Sequence, residues 1–273
     1  MGIMGIVLGI DVGGSTTKIV GLRENELFGT LQVRATDQLT SLFGAIGNFL
    51  LKNSLKLEDI SLISLTGVGA SFIDDLVYGI ETRKVNEFEA IGKGALHQSG
   101  LEEAIVASMG TGTAFVRAGR EGVSHLGGSG VGGGTILGLS ALMLGKNDIE
   151  AVIALANSGK LANVDLLVRD IIGDDAGSLH LDLTAANFGN IKSTASESDI
   201  ALGIINMVFE TIGMMAVFLA RNDSINDVVL TGTLTMIPQA ADIERAFSNL
   251  TDKRFIIPQN AVFATAIGAA LAL

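Results

Sequence analysis

Apolar residues fall into two arrangements along this chain: short runs that end in glycine turns, and longer segments with apolar positions every three or four residues. Ile6 to Ile10 is an apolar run that leads into Asp11-Val12-Gly13-Gly14-Ser15-Thr16, and Lys18-Ile19-Val20-Gly21-Leu22 then alternates. That order predicts a strand, a glycine turn and a returning strand. Leu39, Leu42, Phe43, Ile46, Phe49 and Leu50 recur at helical spacing and predict a helix from Gln38 to Lys52. Ile60 to Leu65 reads as a buried strand ending at Thr66-Gly67, and Asn86 to Leu96 as a helix.

The second half repeats the order. Ala104 to Ser108 is a strand, Gly110-Thr111-Gly112-Thr113 a turn and Ala114-Phe115-Val116 the returning strand. Helical spacing covers Thr135 to Leu144, Asp148 to Ala156 and Asp199 to Arg221, with Ser196 or Ser198 placed to cap the last. Val228 to Leu230 is a buried strand ending at Thr231-Gly232, and Asn260 is placed to cap a final helix. The shared order predicts two similar α/β halves, residues 1–98 and 99–273, facing each other with their glycine turns lining one cleft.

At 273 residues the chain is long enough for two such halves. Its mean hydropathy of +0.49 raises the question of a membrane span. The most apolar stretch, Ile200 to Ala220, is interrupted by Asn206 and Glu210. A span needs about 20 mostly apolar residues with few or no charges, so a buried helix is expected, wide enough in its apolar surface to suit a subunit interface. Met1 to Ile10 has no basic segment and runs straight into Asp11, unlike a secretory signal. The chain has no cysteine, which excludes disulfide frameworks, thiolate metal sites and cysteine nucleophiles, and cytoplasmic residence is the expectation. A net charge of −11 offers no basic footprint for nucleic acid.

Glycine, at 35 residues against 2 prolines, clusters at strand ends, where backbone bends sharply or approaches a ligand. The Asp11 to Lys18 turn joins a carboxylate to glycines and hydroxyls. It can present backbone N–H groups to phosphate oxygens while Asp11 holds Mg²⁺, or it is a plain tight hairpin with a solvated aspartate. Ser108 to Thr113 is the matching turn. Neither has the spacing of a Walker A loop or of a dinucleotide fingerprint. Gly127 to Thr135 is the densest glycine run and leads into a helical segment, so it is either a helix N-terminus suited to a phosphate or ribose edge or a flexible linker. Glu87 and Glu89 open a helix, and a carboxylate there can take the proton of a substrate hydroxyl or stand as a solvated charge. His97, His125 and His180 share no metal-ligand spacing, and no G-x-S-x-G motif is present.

These segments together resemble a known group. Gly9 to Lys18 resembles the first phosphate motif of the actin-like ATPase superfamily, Gly110-Thr111-Gly112-Thr113 its second, and Leu230-Thr231-Gly232-Thr233 its adenosine motif. Gly127 to Leu139 resembles the long glycine stretch of type II pantothenate kinases, and Asp182 to Gly189 a segment typical of that family; the likeness runs from about residue 7 to 271. The resemblance implies an α/β fold of the actin-like (ribonuclease H-like) ATPase kind, with two duplicated domains around a nucleotide cleft. It implies ATP and Mg²⁺ as cofactors. Asp11, Gly13, Gly14, Ser15, Thr16, Lys18, Gly110, Thr111, Gly112, Gly133, Gly134, Thr135, Ile136 and Thr233 would line the ATP site, with Asp11 on the metal. Glu87 aligns with the family's catalytic base, and Thr113, His125 and Gly130 would border the acceptor. Where the family usually has arginine just before the glycine stretch, this chain has His125. The implied reaction is phosphorylation of pantothenate to 4′-phosphopantothenate, the first step toward coenzyme A, in a homodimer joined through the 199–221 helix, with no nucleic-acid or membrane partner. Two alternatives stand beside it: a kinase for another hydroxylated small molecule (an amino sugar, pantetheine or pantoate) and a non-catalytic nucleotide-binding regulator. Absence of cysteine argues against the zinc motif of ROK-type sugar kinases and the iron–sulfur cluster of dehydratase activators.

Overall fold

The computed structural model describes residues 5–35, 37–73, 76–172, 181 and 184–272. His180, Asp182 and Leu183, named above, lie outside them. β1 (Ile6–Val12), β2 (Thr16–Arg23) and β3 (Glu26–Arg34) form an antiparallel meander, and β4 (Ile60–Thr66) runs parallel to β1. With β5 (Leu76–Val77) and β6 (Ile80–Lys84) they make a six-stranded sheet of order β3-β2-β1-β4-β6-β5. Successive strand residues face opposite sides of a sheet. Ile6, Leu8, Ile10 and Val12 therefore share a core with Leu42, Ile46 and Phe49 of α1 (Gln38–Lys52), while Val7, Val20 and Leu22 belong to a separate core on the other side. Asp11 and Lys18 share the parity of Val7 and Val20, and as register partners they sit side by side on that second face.

Residues 104 onward build the same sheet again. β7 (Ala104–Met109), β8 (Thr113–Gly119) and β9 (Gly122–Ser129) form the meander. After α2 (Glu87–Ser99), α3 (Gly133–Leu144), α4 (Ile149–Ala156), the short β10 (Leu166–Leu167), α5 (Val168–Ile172), β11 (Thr184–Ala186) and the long α6 (Glu197–Asn222), β12 (Asp227–Thr231) returns parallel to β7. α7 (Gln239–Leu250), β13 (Arg254–Ile256) and α8 (Ala264–Leu271) complete the order. The second sheet, β13-β12-β7-β8-β9, matches β6-β4-β1-β2-β3 strand for strand. The equivalence extends to backbone angles. β4 and β12 both end in Thr-Gly, Gly67 has φ 88° and Gly232 φ 89°, and each opens a 3₁₀ turn, Val68–Phe72 and Thr233–Met236. Only glycine takes that positive φ without strain.

The two sheets exchange their closing helices. Ile91 and Ala95 of α2 pack with Ala104, Val106, Val116, Ala118 and Val229 of the second sheet, while Ala266, Ile267 and Ala270 of α8 pack with Val7, Val20, Leu22 and Leu62 of the first. α2 and α8 also pack on each other, so one shared helical layer lies between the sheets. On the outer side of the second sheet, Ile204, Ile205, Val208, Phe209 and Ile212 of α6 join Ile105, Ala107, Met109 and Phe115 in the largest core. By length and composition α6 could cross a membrane, but this face of it is spent on that core. Its cap is Ser196, whose hydroxyl accepts from Asp199 N at 3.3 Å.

Two elements differ from expectation. Asn260 does not cap the last helix: it sits at φ 59°, where an N-cap needs extended backbone, and a 3₁₀ turn, Ala261–Phe263, intervenes before α8. The glycine run splits, with Gly127 to Ser129 ending β9 and Gly133 opening α3.

Candidate active site

The face of the first sheet that carries Asp11 also carries Lys18, and Lys18 Nζ donates to Asp11 Oδ2 at 3.3 Å with both residues buried. A buried ion pair is desolvated on both sides and is weak support for stability, which points to a use other than holding the sheet together. The turn is closed by Gly13 N donating to Thr16 O at 3.0 Å. At its tip, a Cβ added to Gly14 would meet nothing within 4 Å, so the space around the turn is open.

Glu87 is the first residue of α2, where Asn86 Oδ1 accepts from Phe88 N at 3.0 Å and Glu89 N at 3.2 Å. Burial pushes the Glu87 carboxyl above the ordinary glutamate range, the negative charge of Asp11 pushes the same way, and Lys18 opposes both. That coupling ties Glu87 to the Asp11–Lys18 pair. A carboxyl with a raised pKa is the kind a general base near neutral pH requires. Glu89 is turned to an ion pair with Lys93 at 2.7 Å, which separates the two glutamates the sequence left side by side. The next residue, Phe88, stacks on His125 of β9 with ring centroids 3.8 Å apart and planes 12° from parallel. Asp11, Lys18 and Glu87 thus come together where α2 enters the shared layer, with the Phe88–His125 stack on the neighbouring residue of the helix.

A second group forms at the ends of β7 and β12. Gly133 N donates to Gly110 O and Gly134 N to Thr111 O, both at 2.9 Å, so the turn 110–113 is docked on the first turn of α3. Those amides are spent inside the protein, contrary to the expectation of a free helix N-terminus for phosphate. Thr135 Oγ1 likewise donates to Gly130 O and accepts from Gly132 N. Ile136 is wholly buried in the largest core. Thr113 is also buried, and its hydroxyl donates to Val131 O at 2.9 Å, bracing the glycine loop where the sequence reading had it meeting the acceptor. Gly130 has open space around it, and Thr233 opens the 3₁₀ turn after Gly232.

Mg²⁺ prefers one or two carboxylates completed by water and substrate phosphates. Among the described residues no group of three or more histidine or acidic side chains could hold a metal, so a metal at Asp11 would need water and phosphate oxygens to complete its shell. A hard oxygen donor stands beside that carboxylate: Thr66, the register partner of Asp11 on β4, carries a fully buried hydroxyl without a hydrogen-bond partner, as does Thr231 at the equivalent strand end of the second sheet. The donor set fits a phosphate-bound Mg²⁺ and does not fit a metal held by protein ligands only.

The family model described as Fumble matches residues 97–244. Proteins named type II pantothenate kinase from Staphylococcus epidermidis and Bacillus cereus are 31% and 30% identical to this chain, the first covering 96% of this chain and 98% of its own, the second 97% of each. The chain belongs to the type II pantothenate kinase family. Membership of this kinase family agrees with the resemblance read from the glycine motifs. Among solved structures, the activator of the 2-hydroxyisocaproyl-CoA dehydratase from Clostridium difficile, with bound ADPNP, superposes with a TM-score of 0.69 at 18% identity, covering 98% of this chain and 93% of that one. At that identity the likeness is one of fold, and the fold is that of the actin-like ATPases. Two groups at this candidate site escape sequence reasoning. The Leu-Thr-Gly repeat flags Thr66 without revealing that its hydroxyl is orphaned, and nothing in the chain signals that Phe88 meets His125.

Proposed function

We propose that the chain transfers the γ-phosphoryl group of ATP to the primary hydroxyl of pantothenate, giving 4′-phosphopantothenate, in the cytoplasm and as the first step toward coenzyme A. The observation that carries this reading is Glu87, a carboxyl raised by burial and set against the Asp11–Lys18 pair. In its ionised form Glu87 accepts the acceptor's hydroxyl proton and aims that oxygen at the phosphoryl group. Lys18 neutralises Asp11 in the resting protein and is placed to donate to phosphate oxygens. Backbone of the turns 13–16 and 110–112 borders the triphosphate. Asp11 would hold Mg²⁺, which when bound neutralises phosphate charge. The base, the metal-side carboxylate and a preorganised cationic group each act on charge that develops in the transfer, the role expected of protein groups in phosphoryl transfer.

Residues 1–98 and 99–273 act as the two domains of the kinase, with α2 and α8 as the layer between them. A homodimer through α6 completes the reading; Met214 and Phe218 stand exposed on that helix. An ADP-release assay over pantothenate, pantetheine, pantoate and common sugars tests the function, with pantothenate expected to give the highest kcat/KM. A better acceptor from the same panel would replace it.

A further inference from the structure

We infer that the stack between Phe88 and His125 positions the Glu87 carboxylate, which makes His125 a positioning residue and not a ligand of the acceptor. The inference rests on the reading of Glu87 as the base. Its ground is how α2 lies along β9. Gly92 packs so closely on Val123 that an added Cβ would press on both Val123 methyl groups. Four residues toward the start of the helix, Phe88 covers His125, two residues further along the strand. Four residues of helix rise about 6 Å and two of strand about 6.6 Å, so the two contacts run in step along one line.

β9 is shaped to allow this. Val116 of β8 pairs with His125 and Phe115 with Gly127, leaving Leu126 as an extra residue, a bulge that bends the strand just past His125. Val116 lies in the core beneath α2, so its partner His125 projects toward the same helix. Beyond the bulge β9 gives way to the glycine loop, and beyond Phe88 only Glu87 and its cap Asn86 remain of the helix. The first turn of a helix frays unless its side chains are held. Asn86 holds the amides of that turn, and the stack, together with the apolar cluster beneath α2, holds its Phe88 side chain against the second sheet. Glu87 is in this way tied to one half through His125 while its carboxylate faces Asp11 and Lys18 of the other.

A stacking role needs a flat ring and no N–H donor, whereas a ligand role needs the donor. The test compares His125→Ala, His125→Phe and Phe88→Ala in steady-state assays with MgATP and pantothenate. A fluorescent ATP analogue serves as a separate check that the nucleotide site is intact. His125→Ala and Phe88→Ala are expected to lower kcat about 10- to 100-fold, as small misplacements of a reacting group do, with pantothenate KM little changed. His125→Phe is expected to stay close to the wild-type kcat. In the unliganded protein, NMR should find the His125 ring protons shifted by the Phe88 ring current, and the shift should vanish in Phe88→Leu. If His125→Phe is as impaired as His125→Ala and the loss lies in pantothenate KM, the ring's N–H meets the acceptor and the proposal is overturned. Wild-type kcat in His125→Ala overturns it equally. A failure of the Glu87 reading is told apart by Glu87→Gln: full activity there removes the base while leaving the ring-current shift in place.

Discussion

Gly94 on α2 meets Ala264 on α8 with no room for a side chain: a Cβ added at Gly94 would land well inside the Ala264 carbonyl oxygen, and one added at Gly268 would do the same to Ala90. The reciprocal pairs Ala90/Gly94 and Ala264/Gly268 place the crossing point of the shared layer at the duplication's pseudo-twofold. Both obstacles are backbone and cannot swing away. Gly94→Ala or Gly268→Ala should therefore cost at least about 2 kcal/mol of stability, at the upper side of ordinary overpacking. Gly44→Ala in α1, where an added Cβ meets nothing within 4 Å, should instead stabilise by up to about 1 kcal/mol through the unfolded chain. Urea midpoints at constant m-value would check both signs.

Asp199 ties the start of α6 to its cap Ser196 and to the segment that follows α4. Its carboxylate is held at a pKa of about 2, chiefly by the Ser196 N–H, then by Lys160 N, the Ser196 hydroxyl and the Asn163 amide, against an opposing push from burial. Because the folded value lies below the ordinary 3.8, the stabilisation is complete above about pH 4 and is lost as pH falls toward 2. Asp199→Asn should lose about 1–2 kcal/mol at pH 7 and flatten the stability curve between pH 4 and 2, as read by chemical denaturation across pH.

Glu210 shows the opposite sign. It accepts from Asn187 Nδ2 at 2.8 Å, and burial pushes its carboxyl upward, with Asp165 adding to the push. A folded value above the unfolded one means that the native protein keeps protons the unfolded chain has released. Stability therefore declines as pH rises from the ordinary glutamate value through the raised one. Glu210→Gln keeps an acceptor for Asn187 and removes that decline, so its stability relative to wild type should improve from pH 5 to pH 8. A parallel pair of curves would refute this account of Glu210.

Met214 and Phe218 are exposed on the outer side of α6, the expected dimer face. Phe218→Asp should give a monomer by light scattering at micromolar concentration while the wild type runs as a dimer. An unaltered mass in the variant would put the interface elsewhere.

Much of the fold was legible because local pattern and tertiary need agree. The 38–52 helix appears with both ends as read, since its apolar spacing and the Asp37 cap point the same way. β3 was less legible: Leu27, Gly29, Leu31 and Val33 alternate, but glycine in the middle weakens the apolar signal. β9 was hidden for the same reason, its last residues lying in a run that reads as loop. The exchange of α2 and α8 between sheets depends on the fit of Gly94 against Ala264, 170 positions apart, which no local pattern encodes. At the site, the glycine turns and Glu87 were visible as types. The commitment of the Gly133 and Gly134 amides to the neighbouring turn, the bracing by Thr113 and the Phe88–His125 stack were not, because each is a contact between segments that composition leaves free.

In the proposed reaction Glu87 takes the proton from pantothenate's hydroxyl while ATP donates its phosphoryl group. Product formation by wild type, Glu87→Gln and Glu89→Gln, followed by mass spectrometry across pH with MgATP affinity measured alongside, tests it most directly. Glu87→Gln is expected to lower kcat about 10²- to 10⁴-fold with nucleotide affinity nearly intact, while Glu89→Gln, which loses only an exposed ion pair with Lys93, is expected to stay near wild type. Wild-type kcat should rise with pH along a limb set above the ordinary glutamate value, and that limb should be missing in Glu87→Gln. Formation of 4′-phosphopantothenate by Glu87→Gln at the wild-type rate and with the same pH profile would contradict it.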